Sequence, residues 1–216
     1  MRYKAVLFDM DGTVLDTLAD LTNAINHTLS DYGMPLLEKR QVAQYLGNGA
    51  AWLMSRAVPA GTPDALREEM LRAYQPWYDS HCAILTAPYP GIVPLMQALR
   101  EAGVKQAVIS NKQDTAVKQL AAQHFPGLLE TAVGESETVR RKPNPDAVLA
   151  ALREMGVEKR DAVYVGDTEV DLRTAENAGL ACAVVGWGFR TEEQLYEAGA
   201  GHIFQSAEEL RGWLLE

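Results

Sequence analysis

Three short apolar runs in this chain each end in residues suited to phosphate or hard-cation chemistry. Asp9 and Asp11 follow residues 5–8, Ser110 and Asn111 follow 107–109, and Asp167 follows 162–165 with Asp171 four residues further on. Lys142 stands apart, in RRKPNPD ahead of a helical pattern. In extended backbone, positions i and i+2 point to the same side with a rise of roughly 7 Å. Asp9 and Asp11 can therefore flank one reacting group while Met10 turns away. Carboxylates such as Asp167 and Asp171 suit a hard cation through oxygen, and a lysine or a hydroxyl can neutralise developing phosphoryl charge. Taken singly, each feature has a structural explanation: Asp11-Gly12 is a turn signal, Ser, Asn and Asp cap helices, and a lone lysine is commonly solvated. Their recurrence at the ends of three runs is what points to one site.

To meet, groups about a hundred residues apart must sit on strands of one sheet. The β-branched-rich runs at 5–8, 107–109, 162–165 and 181–185 read as buried strands. Helical patterns at 93–102, 145–155 and 170–178 separate them, each followed by glycine. Alternating strands and helices imply an α/β fold with a Rossmann-like parallel sheet, whose ligand site lies at the carboxyl ends of the strands. A short strand at 202–204 and a helix opened by a Ser206/Glu209 capping box complete the pattern.

Residues 16–87 break the alternation, showing only helical periodicity: Leu18, Leu21, Ile25 and Leu29 on one face, stretches around Val42 and Leu53, and a longer helix over 63–82 with a kink at Pro76. The chain thus divides into an α/β core of 1–15 and 88–216 and an inserted all-helical cap of 16–87. The joining segments, 12–15 and 87–91, are rich in turn residues and suit hinges.

Composition bounds the function. The 216 residues are 47% hydrophobic and 23% charged, figures for a folded globular protein and not for a disordered or fibrous one. Twenty Lys and Arg against 29 Asp and Glu give a net charge of −9, which repels nucleic acid and anionic membrane alike. An anionic substrate would need locally placed cations. No apolar stretch approaches a membrane span, and the first residues lack the features of an export signal, so the expected location is cytoplasmic. Cys82 and Cys182 form no framework, and His27, His81, His124 and His202 show no zinc-ligand spacing.

With these residues in place, the chain resembles the haloacid dehalogenase superfamily of phosphohydrolases. Its four signatures occur in order as DMDGT at 9–13, VISN at 108–111, KPNPD from Lys142, and GDTEVD at 166–171. Within the superfamily, YLGNGAAWLMSRAV at 45–58 and ISNK at 109–112 are similar to segments of bacterial phosphoglycolate phosphatases. The resemblance implies a phosphomonoester hydrolase acting on a small phosphorylated metabolite. Asp9 would be the nucleophile that forms an aspartyl-phosphate, and Asp11 the acid and base that starts protonated. Ser110 and Lys142 would neutralise the phosphoryl group, with Thr13 and Asn111 among the substrate-binding residues. Mg²⁺ would be held by Asp9, the Asp11 carbonyl and Asp167, with Asp171 either at the metal or orienting Lys142. For a carboxylate on the substrate, the candidates are the backbone amides of Gly47, Asn48 and Gly49 and the guanidinium of Arg56. The resemblance leaves open a pyrophosphatase, a sugar phosphatase or a phosphomutase, and a monomer or a homodimer. From a different class, a phosphorelay receiver also combines an acidic pocket, a hydroxyl and a lysine, but needs neither an inserted helical unit nor Asp11.

Overall fold

The computed structural model describes residues 2–216. In chain order the elements are β1 (Ala5–Phe8), β2 (Leu15–Asp16), α1 (Leu18–Asp31), α2 (Lys39–Tyr45), α3 (Ala50–Ala57), α4 (Asp64–His81), β3 (Ala87–Pro88), α5 (Ile92–Glu101), β4 (Lys105–Gln113), α6 (Asp114–His124), β5 (Thr131–Glu135), α7 (Asp146–Met155), a 3-10 turn (Lys159–Asp161), β6 (Ala162–Gly166), α8 (Glu169–Ala178), β7 (Ala181–Val185), α9 (Glu192–Glu197), β8 (Ile203–Phe204) and α10 (Ala207–Leu215). Six strands form one sheet in the order β5-β4-β1-β6-β7-β8, every pair parallel. The expected α/β class is what the chain adopts.

Strand β1 is fully buried because both its faces are covered, and its residues divide by the period of two. Val6 and Phe8 pack into a core with Leu95 and Leu99 of α5, whereas Ala5 and Leu7 face Val148 and Leu152 of α7. The central trio β4-β1-β6 brings three carboxyl ends side by side at strand spacing, and the polar residues flagged in the sequence sit on those ends.

Four helices, α1 to α4, lie between β2 and β3. The joining segments do more than bend: Leu15 pairs with Pro88 and Asp16 with Ala87, an antiparallel two-stranded ribbon at the root of the insertion. Asp20, one turn into α1, accepts the backbone N–H groups of Ile84, Leu85 and Thr86 at 2.9–3.1 Å and the Thr86 hydroxyl at 2.9 Å. The two ends of the insertion are thereby fastened together. Helix α4 continues through Pro76.

Some local expectations need correction. Strand β4 runs on past Ile109 to Gln113, through polar residues that carry no apolar signal. Strand β5 and helices α6 and α9 are additional elements. Ser206 caps α10 by accepting from Glu209 N–H, but the Glu209 carboxylate takes Gln205 N–H, so the capping box is only half formed.

Candidate active site

Strand β1 ends at Phe8, and Asp9 N–H donates to the Val165 carbonyl of β6 at 2.8 Å. The backbone then turns: the Met10 carbonyl accepts from Val14 and Leu15, and Gly12 adopts φ +88°. The turn over residues 10–15 follows Asp9 directly, and both carboxylates line one crevice.

One oxygen each from Asp9, Asp167 and Asp171 lies within 4.8 Å of the others, all three residues buried. Glycines make the room. A Cβ at Gly12 or Gly188 would stand 2.4 or 2.2 Å from Asp167 Oδ2, and one at Gly166 would stand 2.3 Å from the Asp171 side chain. Asp167 is aimed by the Thr13 hydroxyl and by Phe189 N–H, both at 2.8 Å. Asp171 spends Oδ2 on the start of α8, accepting from Thr168 N–H at 3.1 Å and Thr168 Oγ1 at 2.7 Å. Its Oδ1 accepts from Lys142 Nζ at 2.8 Å, which is the orienting contact expected for Asp171.

Charge at this cluster is unbalanced: three buried carboxylates face one buried ammonium. Burial first, then Asp171, pushes Asp9 well above the usual carboxylate range despite the opposing pull of Lys142. Burial, aided by Asp171, lifts Asp167 to about 7. Lys142 loses by burial but gains more from Asp171 and Asp9, and its pKa lies well above the ordinary lysine value. An oxygen-only donor set with surplus negative charge, cradled where no Cβ fits, suits a hard divalent cation such as Mg²⁺.

Lys142 donates to Asp171 Oδ1 at 2.8 Å and Tyr164 Oη at 3.0 Å, and pairs its charge with Asp9 Oδ1 at 2.8 Å. Its loop is held by Asn111, whose amide accepts Lys142 N–H at 2.7 Å and donates to the Lys142 and Gly47 carbonyls at 3.0 and 2.9 Å. Asn111 and Thr13 were expected to bind substrate. In this structure their polar atoms brace the Lys142 loop and Asp167, and Asn111 also lines the crevice.

Asp11 is separate from the carboxylate cluster: Oδ2 accepts from Ser110 Oγ at 3.2 Å, and Oδ1 lies 3.0 Å from Lys112 Nζ. The helical insertion closes the crevice from above with Leu21, Leu46, Leu53, Tyr74 and Tyr78, leaving a cavity of about 60 Å³. Gly47 and Gly49 line it. Asn48 faces a separate groove outside, its carbonyl accepting from Arg141 at 3.1 Å. Arg56 is the clearest correction. It lies on the exposed face of α3, its guanidinium 5.4 Å from the Trp52 ring centroid, and does not line the crevice. The α3 turn that points Leu53 and Met54 inward points Arg56 out.

Lys112, Tyr78 and Tyr164 were not expected at the site. Lys112 directly follows Ser110-Asn111 in the irregular stretch of β4, where pairing with β5 shifts register between Ile109 and Gln113. That adjacency was the available signal for Lys112. The tyrosines are indistinguishable by sequence from core aromatics.

Comparison with known proteins follows the same outline. The family model described as "Haloacid dehalogenase-like hydrolase" matches residues 6–185. The chain is 32% identical over 214 residues to "Phosphoglycolate phosphatase 1" of Pseudomonas aeruginosa, covering 96% of this chain and 78% of that protein. It is 31% identical over 216 residues to "N-acetylmuramic acid 6-phosphate phosphatase" of the same organism, covering 97% and 94%. A crystal structure from Lactobacillus delbrueckii subsp. bulgaricus, of a candidate phosphoglycolate phosphatase, superimposes with a TM-score of 0.95 at 36% identity, covering 99% of both chains.

Proposed function

The chain belongs to the haloacid dehalogenase-like hydrolases and is a phosphoric monoester hydrolase, and from that premise we propose a Mg²⁺-dependent reaction through an aspartyl-phosphate, with 2-phosphoglycolate as substrate. The observation that carries this reading is the meeting of Asp9, Asp11 and Lys142 in one enclosed crevice beside the Asp167 and Asp171 carboxylates. Asp9 attacks phosphorus, the ester bond breaks, and the phosphoryl group passes to its carboxylate. Asp11 gives its proton to the departing oxygen, then takes one from the water that hydrolyses the aspartyl-phosphate. Lys142 holds Asp9 in place and offsets its charge. Magnesium, when bound by Asp9, Asp167 and the Asp11 carbonyl, supplies the charge neutralisation that phosphoryl transfer requires. The α1–α4 insertion acts as a cap that excludes water during the first step.

The small cavity favours a small leaving group. At the ~30 Å³ that a water occupies in the liquid, about 60 Å³ corresponds to roughly two waters. That space suits a two-carbon acid better than a sugar. Initial rates with Mg²⁺ on 2-phosphoglycolate, N-acetylmuramic acid 6-phosphate, a hexose 6-phosphate and pyrophosphate test the assignment. The highest kcat/KM is expected for 2-phosphoglycolate, and a sugar phosphate preferred by ~10-fold or more would reject it. A phosphoenzyme persisting for minutes would favour the receiver reading instead.

A further inference from the structure

We propose that Lys112, together with the Tyr78 hydroxyl, forms the subsite for a carboxylate carried by the leaving group. This deepens the phosphatase reading and rests on it. Lys112 and Lys142 are the two cations lining the crevice among the described residues. The Lys142 ammonium is enclosed by Asp171 and Tyr164, to which it donates, and by Asp9, with which it forms an ion pair at 2.8 Å. Lys112 has three ammonium hydrogens, but its hydrogen-bond acceptor in the protein is the Tyr78 hydroxyl, with Asp11 Oδ1 3.0 Å away as a charge partner outside hydrogen-bond geometry. Donor capacity is therefore left for the crevice. Tyr78 accepts from Lys112 and therefore keeps its own O–H to donate, and burial holds that phenol in its neutral form.

Position matches this spare capacity. Lys112 lies against Asp11, the group that protonates the departing oxygen, so its ammonium sits on the leaving-group side of the site, away from the Asp9/Asp167/Asp171 cluster. In 2-phosphoglycolate the carboxylate is one carbon from the ester oxygen, a span that keeps it near any group touching Asp11. The Lys112 side chain is only 5% exposed, and the walls around it include Leu21, Leu46, Leu53 and Tyr74. A second negative charge entering so dry a space needs a cation and hydrogen-bond donors. Arg56, on the outer face of α3, provides neither.

The test compares esters that differ only in that charge: 2-phosphoglycolate against 2-hydroxyethyl phosphate, and 3-phosphoglycerate against glycerol 3-phosphate. The readout is the ratio of kcat/KM for the acid to kcat/KM for its neutral partner. Lys112→Met should lower this ratio by ~30-fold or more, through KM, as expected for loss of a buried charge pair. Tyr78→Phe, which keeps the ring, should lower it by ~3- to 10-fold. Ratios within threefold of wild type in both variants would overturn the subsite. If Lys112→Met is inert toward every ester, the Tyr78→Phe ratio decides alone. A wild-type enzyme that handles 2-phosphoglycolate poorly, yet loses acid preference in the variants, would remove the substrate assignment and leave the subsite standing. Good 2-phosphoglycolate turnover with unchanged ratios would do the reverse.

Discussion

The two lysines of the crevice differ by partner and not by type. Lys142 is held by the Asp9 and Asp171 carboxylates and the Tyr164 hydroxyl, whereas Lys112 lies beside Asp11 with donor capacity left over. Replacing the proposed nucleophile tests the chemistry: Asp9→Asn keeps size and shape, so the fold should persist by circular dichroism while turnover falls by ~10³-fold or more. Asp167 gives a pH prediction with a definite sign. Burial lifts its folded pKa to about 7, whereas an unfolded Asp titrates near 3.8. Between about pH 4 and 7 the metal-free folded state holds a proton that the unfolded chain has released, so the stability from this group is lost as pH rises through that window. Mg²⁺ should restore it, and thermal melts should show a larger Mg²⁺-induced rise in Tm at pH 7.5 than at pH 5.5. An equal rise at both pH values would contradict the assignment of Asp167 as a ligand. Asp9, Asp11 and Asp167 were legible as candidates because they lie directly after apolar runs, whereas Lys142, away from any such run, was singled out only by the family resemblance. The roles of Thr13 and Asn111 were not, because a hydroxyl or amide serves substrate or protein according to which partner the fold presents.

Among the elements, those that aim the site are held by their own ends. Asp171 both caps α8 and grips Lys142, so the start of one helix fixes the charge of a distant loop. Asp20 does the corresponding work for the insertion, collecting three backbone N–H groups from the segment that leads into β3. Asp20→Ala would leave the buried Thr86 N–H and hydroxyl without their acceptor, Ile84 and Leu85 being open to water, and should lower unfolding stability by on the order of 1–3 kcal/mol in urea titrations, with the loss centred on residues 82–88 in hydrogen exchange. The strongly periodic helices and the fully buried strands were readable because burial on one or two faces writes itself into apolar spacing. Strand β5 was not, since four of its five residues are only partly buried. The pairing of β2 with β3 joins segments about seventy residues apart, and neither carries a strand signal in two residues.

Across the whole molecule, the insertion is latched to the α/β core through polar contacts. Arg190 is buried and donates to the Ala43 and Leu46 carbonyls at 2.9 and 2.8 Å, where α2 ends, while Glu169 of α8 takes Nε at 2.8 Å. Gln194 reaches Gln44, Asn111 reaches Gly47, and Arg141 reaches Asn48. Arg190→Met should speed amide exchange over residues 42–49 by ~10-fold or more and raise KM, with a smaller change in kcat. Unchanged exchange would place the hold elsewhere. By itself the sequence determined the parallel α/β architecture and the helical stretch between its first strands, since these depend on periodicity, and it marked Asp9, Asp11 and Asp167 as candidates a few positions from strand termini. Only the tertiary structure decided which groups share the small cavity. Which side chains face the small cavity follows from how α3 and α4 rotate and dock over β4, and a rotation of one residue along a helix, invisible in composition, separates Leu53 inside from Arg56 outside.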